Sequence, residues 1–111
     1  MIVGLMQTIE ELLEAPASGD EAPTLERMEE TLTDGYAHAL ALEAERSRIE
    51  RRIGEVASTA DERSGLAEEL TTLAGRMRTA DRELRKLRSA LGRLQARTRA
   101  ARRQAMPDLM A

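Results

Sequence analysis

The feature that most constrains the fold is a line of apolar and small residues at helical spacing from Leu25 to Ala105. No proline interrupts it, and its members recur at alternating steps of three and four residues, the spacing that lines one side of a coiled-coil helix. It predicts two long helices that pack along this line. The first run occupies Leu25, Met28, Leu32, Gly35, Ala39, Leu42, Arg46, Ile49, Ile53 and Val56. The second run occupies Leu66, Leu70, Leu73, Met77, Ala80, Leu84, Leu87, Leu91, Leu94, Thr98, Ala101 and Ala105.

The composition favours the same all-α class. Of the 111 residues, 33% are charged and only 1% are aromatic, whereas β-sheets depend on aromatic and β-branched side chains. The absence of cysteine excludes disulfide bonds and thiolate zinc sites. Because there is a single histidine and no acidic loop of calcium-binding spacing, we expect no metal site and no cofactor.

Residues 57–65 separate the two runs. They gather Ser, Thr, Asp and Gly, and the apolar spacing changes phase across them, as expected for a turn. A turn here predicts an antiparallel two-helix coiled-coil hairpin over residues 24–106, followed by a tail at 107–111. The alternative is one continuous helix in a parallel dimer, in which Gly35 and Arg46 would each face their own copy. A void and a buried like-charge pair make that arrangement the less favourable one.

The register of the hairpin can be predicted from the sizes of the facing side chains. Gly35 opposite Leu87 and Ala39 opposite Leu84 would set small residues against large ones, as interdigitating layers require. The same register predicts the neighbours along both flanks of the hairpin. On one flank they are Arg52 with Glu69, Glu45 with Arg76 and His38 with Glu83; on the other, Tyr36 with Arg88 and Glu43 with Asp81.

Residues 1–14 have the pattern of a short amphipathic helix, joined to the hairpin by a proline-containing linker at residues 15–23. An isolated two-helix hairpin buries little apolar surface, and alanines also lie outside its main apolar line. We therefore expect dimerisation into a helical bundle, with the short helix completing the core or anchoring a protein partner. The residues expected to make that contact are Ile2, Leu5, Met6, Ile9, Leu12 and Leu13. The residues outside the main line are Ala37, Leu40, Ala41, Ala44, Ala96 and Ala100.

The net charge of -3 conceals an acidic first third and a basic stretch at residues 76–103. Such an asymmetry is typical either of a nucleic-acid-binding tail or of two ends that lie against each other. The N-terminus lacks the basic start of a signal peptide, and no apolar segment is long enough to span a bilayer. We expect a cytoplasmic protein without membrane contact.

Three residues of the first long helix are candidates for a functional site: Tyr36, His38 and Arg46. Tyr36 and His38 are the only residues of their types, but catalysis would need a concave pocket and a positioned nucleophile, so we expect them to cover the hairpin flank. Arg46 occupies a core position, where Glu43, Glu50 and Asp81 come within its reach. We interpret Arg46, Glu43 and Asp81 as a polar group that fixes the register or the oligomeric state.

We expect a non-enzymatic adaptor or regulatory protein that acts through protein–protein contacts. One alternative is a nucleic-acid- or nucleotide-responsive regulator, transcription-associated or anti-sigma-like, that uses the arginine-rich C-terminal helix. The phosphate contacts would then be Arg97, Arg99, Arg102 and Arg103. The acidic tip, Asp61 and Glu62, is similar to the tips of helical hairpins that enter the secondary channel of RNA polymerase. Another alternative, from architecture alone, is an export chaperone or a stalk-like component of a secretion apparatus.

Overall fold

The computed structural model describes residues 2–59 and 65–105, including every side chain in these ranges except that of Ile2. These residues form three helices, α1 (Ile2–Glu14), α2 (Leu25–Ser58) and α3 (Leu66–Ala105), and contain no strand. The predicted all-α class is confirmed. The acidic tip at Asp61 and Glu62 and the tail at 107–111 lie outside the described residues.

The ends of the helices follow local sequence signals. Thr24 has an extended backbone, and its hydroxyl accepts a hydrogen bond from the backbone N–H of Arg27 at 3.1 Å, which caps α2. Gly65, directly before α3, has a φ of 78°, a left-handed conformation that glycine adopts without steric cost. Its carbonyl accepts the backbone N–H of Glu69 at 3.1 Å, so the first turn of α3 begins from this residue.

α2 and α3 are antiparallel neighbours. On one flank, Arg52 pairs with Glu69 at 2.8 Å, and Glu45 pairs with Arg76 at 2.7 Å. Moving back along α2 therefore means moving forward along α3. Both contacts are those that the sequence predicts for this flank.

Three contacts join α2 to α3 on the opposite flank. Each step of seven residues back along α2 is matched by a step of seven residues forward along α3. The contacts are the Glu43–Arg88 ion pair, the hydrogen bond that the Tyr36 hydroxyl donates to Gln95 Oε1 at 2.9 Å, and the Arg102–Glu29 ion pair at 2.6 Å. The predicted neighbours on this flank, Arg88 for Tyr36 and Asp81 for Glu43, are therefore wrong by about two turns of α3.

The core of the hairpin is also displaced from the predicted register. Gly35 packs against Leu91, so closely that a β-carbon at Gly35 would collide with the Leu91 side chain. The predicted partner was Leu87, one turn earlier. Leucines recur along this side of α3, so a slide of one turn still sets a leucine against the small residue. The apolar pattern thus decides which faces meet but leaves the axial offset undetermined.

α1 lies in one of the two grooves between α2 and α3. Near its start, Leu5 and Thr8 lie beside His38 of α2, and at its end Arg97 of α3 donates hydrogen bonds to the carbonyl oxygens of Leu13 and Ala15. α1 is therefore parallel to α3 and antiparallel to α2. The chain forms an up-down-up arrangement in which the short helix covers only part of the hairpin.

The molecule consequently has two differently built halves. The three-helix end comprises α1, residues 25–42 of α2 and residues 80–105 of α3. The two-helix arm comprises residues 43–58 and 66–79. The buried core of the three-helix end is formed by Ile9, Leu12, Met28, Ala39, Leu84, Leu87, Ala90, Leu91 and Leu94. The buried core of the arm is formed by Ile49, Val56 and Leu73.

Candidate interaction surfaces

The apolar face of α1 is occupied by the hairpin of the same chain. Ile9 is fully buried and Leu12 is 8% exposed, while Leu5, Met6 and Leu13 pack against the same core. The side chain of Ile2 lies outside the described part of the structure. A partner that used these residues would first have to displace α1, so their binding to another protein stays a prediction.

Tyr36 and His38 lie on different flanks of α2. The Tyr36 hydroxyl reaches Gln95, whereas His38 faces α1 beside Leu5 and Thr8. Within the described residues His38 makes no hydrogen bond or ion pair, and the predicted contact with Glu83 is absent. α1 is the physical reason, because its first turns lie between the positions of His38 and Glu83. The two residues therefore do not form a common site.

Arg46 lies where the three-helix end meets the two-helix arm. Its Nε is 2.9 Å from Asp81 Oδ1 and 3.8 Å from Glu50 Oε1. Its side chain is 45% exposed, so the residue sits at the edge of the core. Glu43, predicted as a further partner of Arg46, instead pairs with Arg88. The structure thus brings Arg46 and Asp81 together across the hairpin and assigns Glu43 to another ion pair.

The four arginines predicted to contact phosphate have different surroundings. Arg97 holds the last carbonyls of α1, and Arg102 pairs with Glu29, so both are engaged inside the chain. Arg99 and Arg103 are exposed and make no hydrogen bond or ion pair within residues 2–59 and 65–105. Only these two remain available to an external anion without breaking an internal contact.

Arg99 and Arg103 belong to a longer row of cations on the outer side of α3, which we call the basic ridge. All its members are exposed, and none has a hydrogen-bond or ion-pair partner among the described residues. Their helical spacing places them in a band on the outer side of α3, with Lys86 nearest to α1 and with Arg85, Arg99 and Arg103 nearest to the opposite groove. The basic ridge consists of Arg78, Arg82, Arg85, Lys86, Arg93, Arg99 and Arg103.

No other described helix covers the second groove between α2 and α3, which lies opposite α1 and carries exposed apolar surface. Tyr36, Leu40, Leu91 and Gly92 line it, and Leu40 is 66% exposed. Exposed small residues continue the same sides of both helices by their spacing. We call this surface the open face; it consists of Tyr36, Ala37, Leu40 and Ala44 of α2 and Ser89, Gly92 and Ala96 of α3.

Sequence reasoning identified only part of the open face. The alanines and Leu40 were recognisable because they lie off the main apolar line. Gly92 and Ser89 were missed, because a glycine or serine on a helix surface carries no apolar signal. The usable clue was that they fall at helical spacing with Ala96.

In the two-helix arm, ion pairs bridge the same flank of the hairpin that α1 covers in the three-helix end. Arg48 and Arg76 both donate hydrogen bonds to the Glu45 carboxylate, and together they lower its pKa, Arg48 contributing most. Arg52 bridges Glu69 and Glu55, which raise the pKa of its guanidinium. These groups are exposed to solvent, so each pair contributes little to stability.

The described helices contain no group of three or more His, Asp or Glu side chains arranged to hold a metal ion. None of them combines the length and apolar character that a bilayer crossing requires. No protein-family model matches the sequence, and no curated protein or solved structure matches it significantly.

Proposed function

We propose that the chain is a non-enzymatic protein-binding module, an adaptor or regulator whose antiparallel coiled-coil hairpin docks a helix of another protein chain on its open face. The observation that carries the proposal is Leu40. Leu40 is 66% exposed and shares one groove with Tyr36, which is 43% exposed, so the two side chains form a contiguous apolar patch that a partner would cover. The seven-residue spacing of the flank contacts supports the coiled-coil character.

The molecule itself provides a precedent for a helix as the occupant. The two antiparallel helices form two grooves, and α1, an amphipathic helix, fills the first by burying Ile9 and Leu12. The second groove is bounded by the same two helices. Its alanines and Gly92 allow a helix backbone to approach closely, as ridges fit into grooves.

Charges at the borders of the open face would orient an incoming helix. The α2 border carries acids near its start, including Glu26 and Glu30, and the α3 border carries Arg85, Arg99 and Arg103. A helix in this groove therefore meets negative charge on one side and positive charge on the other. Complementary charge of this kind mainly sets specificity and association rate.

Site-specific photocrosslinking in the protein's native cells tests the proposal. A photoreactive residue in place of Leu40 is expected to give discrete adducts with a protein chain. The matched control is the same residue at Val3, which is 74% exposed on α1, away from the open face. Adducts that are equally abundant at both positions, or absent at Leu40, would overturn the proposal.

The basic ridge supports a second candidate, a nucleic-acid-binding regulator. Its seven cations lie on one side of one helix without a partner among the described residues, and phosphate backbones bind such surfaces by releasing counterions. Fluorescence anisotropy with labelled DNA and RNA over a salt series tests this function. Arg82→Glu is expected to weaken binding and reduce its salt dependence, whereas Arg51→Glu, off the ridge, leaves both unchanged. Failure to bind either nucleic acid at low salt would exclude this candidate.

A further inference from the structure

We infer that the helix docked on the open face belongs to a second copy of this chain, and that α2 of each copy packs against α3 of the other. The inference rests on the proposed function, because it names the occupant of the same surface. It follows from which residues of α2 and α3 lie at the same height along the hairpin.

The flank contacts define those heights. The Tyr36–Gln95 hydrogen bond and the Glu43–Arg88 ion pair enclose Leu40 on α2 and Gly92 on α3. Leu40 and Gly92 also line one groove. The two residues therefore lie at nearly the same height, on neighbouring helices of the open face.

A two-fold axis parallel to the helices would then bring complementary residues together. It sets α2 of one copy opposite α3 of the other, antiparallel and at equal height. Leu40 thereby faces Gly92 of the second copy, where a β-carbon would have no neighbouring atom within 4 Å. The large side chain enters the space that the glycine leaves, as in knobs-into-holes packing. On either side, Ala37 faces Ala96, and Ala44 faces Ser89.

The charges select the same arrangement. The Arg102–Glu29 pair sets the height of the next residues, Glu30 and Arg103, which are exposed and unpaired within the described residues. The axis parallel to the helices brings Glu30 of one copy to Arg103 of the other, twice per dimer. A two-fold axis perpendicular to the helices would instead place α3 against α3, with like charges such as Arg85 and Arg99 near each other. The first arrangement is attractive and the second is repulsive.

Light scattering coupled to size exclusion, on the full chain at up to about 100 µM, measures whether the chain forms a dimer. The wild type is expected at twice the chain mass of 12.3 kDa. Leu40→Asp is expected to raise the dimer Kd at least about 100-fold, because each contact would bury an unpaired carboxylate. Val3→Asp is the control, since Val3 is also exposed but lies on α1, away from the open face. Circular dichroism verifies that both variants keep their helix content.

Charge exchange between two chains tests the pairing of α2 with α3. Glu30→Arg alone and Arg103→Glu alone each create two repulsive contacts per dimer and are expected to weaken dimerisation about tenfold. An equimolar mixture of the two variants restores attraction at both contacts, so it is expected to dimerise as the wild type does. A mixture no tighter than the single variants would overturn the proposed pairing.

The remaining outcomes separate this inference from the proposed function. A wild type that stays monomeric, or a dimer that Leu40→Asp does not weaken, overturns self-association through the open face. If crosslinks from Leu40 then lead to a different protein, the docking function stands and only the identity of the occupant is wrong. If Leu40 gives no specific adduct and the chain is monomeric, both proposals fail together.

Discussion

The three-helix end and the two-helix arm use the same pair of helices but bury them very differently. In the three-helix end, residues on the flank of the hairpin are enclosed, with Thr31 2% exposed and Ala90 fully buried, because α1 lies over that flank. In the arm, no third helix of the described part of the chain covers the corresponding flank, and exposed ion pairs such as Glu45–Arg76 bridge it instead. One short helix thus converts half of a hairpin into a bundle.

The difference between the halves has an energetic meaning. Each fully buried apolar side chain stabilises the folded state by roughly 1.5–3 kcal/mol, whereas an exposed ion pair contributes about 0–1 kcal/mol. The three-helix end has nine fully or nearly buried apolar residues in its core against three in the arm. We therefore expect local opening to begin in the arm and the three-helix end to open last.

Truncation of one buried residue in each half is the strongest test of this comparison. Ile9 and Val56 are both fully buried, the first beneath the hairpin and the second in the arm. Ile9→Ala is expected to lower the free energy of unfolding by about 3 kcal/mol, and Val56→Ala by about 2 kcal/mol because fewer methyl groups are lost. Urea unfolding followed by circular dichroism measures both values.

Val3→Ala serves as the control for that pair, since Val3 is 74% exposed on the same helix as Ile9. It is expected to change the free energy of unfolding by less than about 0.5 kcal/mol. If Ile9→Ala were as mild as Val3→Ala, α1 would not be packed on the hairpin in solution. The distinction between the two halves would then disappear.

Two glycine substitutions sharpen the comparison at intermediate cost. A β-carbon at Gly54, in the arm, meets open space, so Gly54→Ala is expected to stabilise the chain by about 0.5–1 kcal/mol through helix propensity. At Gly35 the same β-carbon would meet the buried Leu91, and overpacking is expected to outweigh that gain, for a net loss of about 1 kcal/mol. Thermal or urea unfolding decides the sign of each change. Equal stabilisation by both would contradict the close contact of Gly35 with Leu91.

The smallest effect concerns protonation in the arm. Glu45 has its pKa lowered from 4.5, first by Arg48 and then by Arg76. Because the folded pKa is the lower one, its contribution to stability is present above pH 4.5 and is lost as the pH falls through the folded pKa. NMR titration of the Glu45 carboxyl should show this low pKa, and Arg48→Gln or Arg76→Gln should raise it. Arg51→Gln is the control; a Glu45 pKa that Arg76→Gln leaves unchanged would argue against the contact across the hairpin.

The sequence alone determined the elements and much of one flank. The proline-free apolar line was sufficient to predict two long helices. Most of the predicted turn, residues 60–64, lies outside the described residues. Oppositely charged residues at matching positions predicted the contacts of Arg52 with Glu69 and of Glu45 with Arg76. These features are local or repeat along the chain, so they can be recognised without knowledge of the tertiary structure.

Only the tertiary structure decided the axial offset of the hairpin and the position of α1. Because leucine recurs regularly in α3, Gly35 could pack against either Leu87 or Leu91. Only the packing of the two helices shows that its neighbour is Leu91. The amphipathic pattern of residues 2–14 shows that α1 needs an apolar surface, but it does not specify which one. The linker allowed α1 to fold back into a groove of its own chain, where it separates His38 from Glu83 and leaves the opposite groove open. The sequence of an amphipathic helix shows that its apolar face must be buried, but the packing of the helices determines which surface buries it.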